Sequence, residues 1–451
     1  MAKLNLGFLK NKQFLALAGN AVISLLSLVQ MGLIYRKLET SEVGGWTIFL
    51  VTLGIAESLR NGFLATATIK FYAGTGKDRA AEVLGSVWFI ALVITGVLLL
   101  VNLALVPFEN YFSDVDIRVM IKWLGLTFLS SLPYTLYFWV LTADERYEKI
   151  LWMRMVNNGS MIICVICWVI FYKLSLEAML WINFLTNILT DVVGLFFGMA
   201  HLKTIPKRTK QCIIEIFHFG KFSMGSNLLS NMLRNTDIYI IRAVLGEAAV
   251  AIYNIPVKLL EIVEIPLRSF IMTGMSGMAI AFNQNNKERV KYILTKYSGM
   301  LTIAFIPLAL GALVFADLIV YLMYGTKYVG TEGANLFRFF MVFSVMYPVD
   351  RFCGATLDVM HKPRINLYKV VVMLVVNLVT DLVGVYIFRN IYGIVAGSFF
   401  TIFAGILYGY YNLRRYLPYT IAGTLSTGYV ELRWLLQRKL AFLGRRDKNA
   451  G

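Results

Sequence analysis

The sequence predicts an all-α polytopic membrane protein with about twelve transmembrane helices in two six-helix lobes, on three observations. Its 451 residues are 58% hydrophobic and 15% charged, with a mean hydropathy of +0.67, whereas a soluble domain has roughly 45–50% apolar and about 25% charged residues. Apolar runs approaching the roughly 20 residues that cross the hydrocarbon recur along nearly the whole chain, separated by short polar breaks. The runs are continuous, as at 93–106 and 370–376, unlike the roughly 10-residue alternating segments of outer-membrane strands.

Span 1, at 14–35, is too long for a signal-peptide core and lacks a small-residue cleavage site, so it is expected to be retained. Spans 2 to 6 follow at 44–71, 84–107, 119–142, 151–172 and 178–200. Spans 7 to 12 are expected at 218–245, 248–282, 292–315, 333–358, 366–388 and 392–413. Twelve spans put both termini on one side, and the Lys and Arg bias decides which side. Of the 43 basic residues, 28 lie at the termini or around the even-numbered connections and 8 around the odd-numbered ones, so both termini are expected in the cytoplasm of a multi-pass bacterial inner-membrane protein. The net charge of +17 has the same origin. Its basic residues sit at helix ends rather than on one polar surface, which argues against a nucleic-acid partner.

The connection after span 6 carries Lys203, Pro206, Lys207, Arg208 and Lys210 and splits the chain into halves of six spans. This gives an N-terminal lobe at 1–202, a basic cytoplasmic linker at 203–217, a C-terminal lobe at 218–415 and a basic tail at 416–451. Leu38, Val43, Trp46 and Ile48 match Leu245, Val250, Tyr253 and Ile255 at a constant offset of 207. Halves of six spans share one membrane orientation, so a duplication would be parallel, with substrate held between the halves. In the tail, the stretch from Glu431 to Arg446 mixes Leu432, Trp434 and Leu435 with Arg433, Arg438 and Lys439, as expected of a basic helix lying against membrane lipids.

Chemistry of other kinds finds little support. Cys164 and Cys167 lie inside an apolar run without the four ligands that zinc needs. His201, His218 and His361 are scattered near span ends, and there is no hydrolase triad, P-loop or dinucleotide fingerprint. The chain therefore reads as a carrier rather than an enzyme, without a cofactor beyond a coupling H+ or Na+. The longest outward connection, 316–332, holds Tyr321, Tyr324 and Tyr328 and reads as an interfacial aromatic belt.

Polar residues inside the spans carry the functional signal, because a charge at mid-bilayer costs about 2.5–3.5 kcal/mol on insertion scales and tends to face a bundle interior or a wet cavity. In span 7, Ser223, Ser226, Asn227, Ser230, Asn231, Arg234 and Asp237 recur every three or four residues, on one helix face. Span 8 repeats this with Asn254, Lys258, Glu261, Glu264 and Arg268, and carries Pro256 and Pro266. Span 1 offers Asn20, Ser24, Ser27 and Gln30, and span 2 offers Glu57 and Arg60. Pairing at helical spacing accounts for some of these charges, as Glu57 with Arg60, Arg234 with Asp237 and Glu264 with Arg268. It does not account for stripes on corresponding helices of both halves, which point to a water-filled cavity. Asp191, Arg338, Asp350, Arg351 and Asp381 read as structural pairs.

The stretch YRKLETSEVGGWTIF from Tyr35, with Glu57, Arg60 and the ending IKFYAG, resembles the opening of bacterial polysaccharide or O-antigen flippases. HKPRINLYKVVVMLVVNLVTDLVGVYIFRNIYGIVAGSFFT, after Asp358, is similar to their last two helices. Resemblance to this Wzx-type branch of the multidrug/oligosaccharidyl-lipid/polysaccharide exporter superfamily implies two six-helix lobes around a V-shaped cavity lined by helices 1, 2, 7 and 8. It implies alternating access that carries an undecaprenyl-pyrophosphate-linked saccharide outward, and it admits other glycan-assembly membrane proteins as partners. Arg60, Arg234, Lys258 and Arg268 fit the cationic positions of such a cavity, with Asn20, Asn227 and Asn231 beside them. Glu57, Asp237, Glu261 and Glu264 are the candidates for ion coupling, and they also suit the alternative, a cation or multidrug antiporter of the same superfamily driven by H+ or Na+. A major-facilitator carrier finds only GTGKDRA at 74–80, and a saccharide polymerase would need a large outward loop.

Overall fold

The computed structural model describes residues 12–447, and their regular structure is helical throughout. Its α-helices are α1 (Lys12–Lys37), α2 (Thr40–Tyr72), α3 (Lys77–Leu105), α4 (Val115–Ser130), α5 (Leu132–Ala143), α6 (Tyr147–Phe171) and α7 (Leu176–Phe196). They continue with α8 (Lys210–Leu245), α9 (Glu247–Asn283), α10 (Lys287–Tyr324), α11 (Gly333–Ser344), α12 (Tyr347–Val359), α13 (Pro363–Phe388), α14 (Tyr392–Arg414) and α15 (Ile421–Asp447).

Every predicted span falls on helix, and spans 4 and 10 are each divided. α4 stops at Ser130 because Pro133 lacks a donor and starts a new helix, and α12 likewise begins with Pro348 in its first turn. Among the described residues, α2, α3, α4 with α5, α6, α7, α10, α13 and α14 are long and apolar enough to cross a membrane. α1, α8 and α9 are not in that set, and α11 and α12 are too short singly. Large apolar side chains stand exposed in rows, such as Val93, Val97, Leu100 and Val101 on α3 and Ile163, Ile166 and Ile170 on α6. In water such rows would drive aggregation, and against lipid tails they are at rest.

Packing divides the chain into two compact units. One runs through Ala251 and includes Met323–Lys327; the other comprises Ile252–Leu322 and the chain from Tyr328 onward. The line falls after α8 because α8 lies along α2 and also touches α3, whereas the lobe division at 203–217 follows span number. The first unit has a core of Phe63, Leu64, Val83, Val87, Leu136 and Ile216, drawn from α2, α3, α5 and α8. The second packs α13 on α14 and α12 on α14, with Leu267, Val290, Phe305, Phe352 and Leu413 in its core. α9 starts 207 residues after α2 (247 − 40), the offset of the sequence echo, and Val43, Trp46 and Ile48 are buried, as are Val250, Tyr253 and Ile255.

Two sequence expectations are corrected. The aromatic belt does not form as drawn: α10 extends to Tyr324, which is fully buried with its ring 4.8 Å from that of Tyr35, and Tyr328 is also buried. The tail helix begins at Ile421, ten residues before Glu431, because Thr420 caps its first turn by accepting the Gly423 N–H at 3.0 Å.

Candidate functional site

α8 begins where the Thr209 hydroxyl accepts the Cys212 N–H at 3.2 Å, and it ends at Gly246, whose φ of 86° is available to glycine at little cost. Along its polar face each asparagine folds back on its own helix. The side-chain amides of Asn227, Asn231 and Asn235 donate to the carbonyls of Ser223, Asn227 and Asn231 at 3.0, 3.1 and 2.9 Å. One Asn227 donor is thereby used, and the amide oxygen stays available. Asn227, Ser230 and Arg234 are exposed, Ser223 and Asn231 are half-buried, and Asp237 is buried. Arg234 has no carboxylate within 4 Å among the described residues, so the expected pair with Asp237 is absent.

The edge of this face is seated on α2. Thr52 and Tyr239 share a hydrogen bond at 2.8 Å, and a Cβ at Gly62 would lie 2.8 Å from Asn227 Cβ and 2.9 Å from Met224 Cα. Glycine at 62 is therefore what lets α8 approach. At the far end, Arg242 bonds Asp114 and Asp116, the latter at 2.8 Å. Burial raises the Asp114 carboxyl, but hydrogen bonds from Arg242 and from the Ile117 and Asp116 N–H groups outweigh it and hold the group below its ordinary value.

Arg60, expected to meet substrate, is fully buried inside the first unit. Its guanidinium donates to Thr95 Oγ1 (3.3 Å), the Phe128 carbonyl (3.0 Å), Ser131 Oγ (2.8 Å) and Thr135 Oγ1 (3.2 Å). It also lies 4.2 Å from the Phe128 ring centre and 3.8 Å from Glu57. These bonds tie α2 to α3, α4 and α5, so Arg60 is an internal strut. The α4–α5 break exposes the Phe128 carbonyl and the Ser131 hydroxyl that it uses. Asp191, expected to pair with a charge, instead caps α5 by accepting the Tyr134 N–H at 2.8 Å.

In the second unit the charges of α9 are paired. Lys258 meets Glu261 at 3.0 Å, and Glu264 receives Arg268 at 2.8 Å and Arg351 at 3.7 Å. Asn254 is buried. The side chain of Asn20 lies outside the described residues. A deeply buried ion pair, Lys369 with Asp350 at 2.6 Å and both 5% exposed, was missed on the lysine side. Read in sequence, Lys369 is one more positive residue near a span end, and its partner lies 19 residues away on another helix.

Known proteins resemble this chain in sequence and in fold. A family described as polysaccharide biosynthesis protein matches residues 17–332. The lipopolysaccharide biosynthesis protein WzxC of Escherichia coli (strain K12) is 23% identical over 314 residues, which are 67% of this chain and 60% of that protein. The chain thus spans less than two thirds of the length of that curated relative. Among solved structures, an inward-facing multidrug resistance MATE family transporter of the MOP superfamily aligns with a TM-score of 0.71 at 14% identity, covering 90% of this chain and 99% of that one. The lipid II flippase MurJ, in an inward closed conformation, aligns with a TM-score of 0.70 at 12% identity, covering 94% and 92%. The fold is that of these transporters.

Proposed function

The chain belongs to the polysaccharide biosynthesis protein family, and on that premise we propose that it flips an undecaprenyl-pyrophosphate-linked saccharide from the cytoplasmic to the outer leaflet by alternating access. The observation that carries this reading is the exposed face of α8, where Arg234, with no carboxylate partner among the described residues, stands in line with Asn227, Ser230 and Asn231. Amides and hydroxyls match the hydroxyls of a sugar, and a guanidinium fork matches phosphate oxygens. The names of WzxC and of the lipid II flippase support the same substrate class.

Cation antiport would need an acid free to take up H+ or Na+. Glu261 and Glu264 are engaged by Lys258 and by Arg268, which favours the flippase reading. Glu57, 28% exposed, has its cation Arg60 at 3.8 Å, a looser pairing than those of Glu261 and Glu264, and is the acid we assign to a coupling ion.

The test is deletion of the gene in its native host. Lipid-linked oligosaccharide should accumulate on the cytoplasmic leaflet, wild type should restore delivery, and Arg234→Ala should be expressed but inactive. Unchanged surface glycan, with a loss of drug efflux that depends on Glu261 or Glu264, would replace this reading with the antiporter.

A further inference from the structure

Away from the faces of α8 and α9, the second compact unit holds a cavity of about 300 Å3 where the start of α10, the end of α14 and the first turns of α15 meet. Its wall brings together two cations, Lys291 and Arg414, with the hydroxyls of Thr295, Tyr419, Thr420 and Thr427, and no carboxylate lines it among the described residues. The acid nearest Lys291 is Glu288, 3.3 Å away on the same helix, with its side chain 78% exposed and therefore screened by solvent. Arg414 lies 5.9 Å from the Tyr410 ring centre and makes no ion pair among the described residues.

α15 adds the positive end of its dipole, because Thr420 and Gly423, both of its first turn, line the same cavity. The wall is held in place. Glu431 on α15 accepts from Lys296 at 2.6 Å and from Tyr292 at 2.5 Å, and Gly428 permits the backbone of α15 to lie against Gly299 of α10. The volume is that of a small-ligand pocket rather than of a single bound water.

We propose that this cavity binds a phosphate-bearing anion. Two cations on separate helices, with the Thr420 and Thr427 hydroxyls beside them and no acid in the wall, match the charge and the several acceptor oxygens of a phosphate. The chemistry is shared by the headgroup of an anionic phospholipid and by a soluble phosphate or pyrophosphate. The cavity opens among helix ends that the Lys and Arg bias assigns to the cytoplasmic side, where both are present. The inference stands apart from the proposed transport activity and does not depend on it.

The experiment follows thermal unfolding of the purified full chain in detergent, with phosphatidylglycerol titrated in one arm and inorganic phosphate or pyrophosphate in the other. Wild type and Lys287→Gln should be stabilised by at least one probe. Lys291→Gln and Arg414→Gln should need about tenfold more of it, or greater, as expected when one charged hydrogen bond is lost. Stabilisation by the lipid alone identifies a headgroup site, and stabilisation by the soluble anions as well identifies a site for the phosphate itself. Lys291→Arg and Arg414→Lys, which keep the charge, should recover most of the binding and separate loss of ligand from loss of fold. No stabilisation by either probe, or equal stabilisation of all variants, overturns the proposal.

Discussion

Replacing Arg60 with alanine removes four hydrogen bonds and a ring contact from a site with no exposure. A charged donor is worth about 1.5–3 kcal/mol per bond net, and these terms are not additive. The Thr95 and Thr135 hydroxyls can turn to other acceptors and the Phe128 carbonyl keeps the Ser131 hydroxyl as a donor at 3.1 Å, so most of the cost comes from the unbalanced Glu57 and the void. Breaking a buried charge interaction of this kind costs about 3–5 kcal/mol. Arg60→Ala should therefore unfold at markedly lower temperature in detergent, as read by tryptophan fluorescence, and any loss of transport should track the loss of folded protein. Arg60→Lys should recover little, because an ammonium cannot span four acceptors arranged for a planar fork. An Arg60→Ala protein that melts like wild type yet transports nothing would refute the reasoning and return Arg60 to the substrate.

Three further outcomes follow from the packing. Gly62→Val sets a branched side chain against Asn227 Cβ and the Met224 backbone; stability should fall by about 1–3 kcal/mol and transport should fall with it, and unchanged melting and activity would contradict the α2–α8 contact. Asp350→Asn and Lys369→Met should each destabilise by about 3–5 kcal/mol, and the double variant should be destabilised by less than the sum of the singles in a thermal-unfolding cycle, since each single change strands the other charge. Glu431 is held below its ordinary carboxylate value by Lys296 and Tyr292, so its grip on α15 is present above the ordinary Glu value and is lost as pH falls through the lowered one; limited proteolysis of the tail should accelerate only in that acid range, and Glu431→Gln should remove the pH dependence.

The helices were legible because a span is a local property: each apolar run announces itself within about 20 residues. The breaks in spans 4 and 10 were also written locally, at Pro133 and Pro348, but the surrounding apolar runs conceal them. Helical spacing correctly placed Glu57 beside Arg60 and Glu264 beside Arg268, and it failed for Arg234 with Asp237, one exposed and the other buried. What spacing cannot supply is the far partner. Thr95, Ser131 and Thr135 lie 35 to 75 residues from Arg60, and nothing in a single chain marks them as its acceptors. The reading of Arg60 as a substrate contact followed from the rule that a membrane charge faces water or a partner, and besides Glu57 the partners here are neutral hydroxyls and a carbonyl, which leave no periodic trace.

The most direct test reconstitutes the purified protein in liposomes with a fluorescent undecaprenyl-pyrophosphate saccharide and measures its exposure to a membrane-impermeant quencher. Wild type should make substrate from the protected leaflet accessible, while Arg234→Ala, with an unchanged melting temperature, should leave it protected. Equal accessibility for the two proteins, or none with wild type, would contradict the assignment of the α8 face to a lipid-linked saccharide.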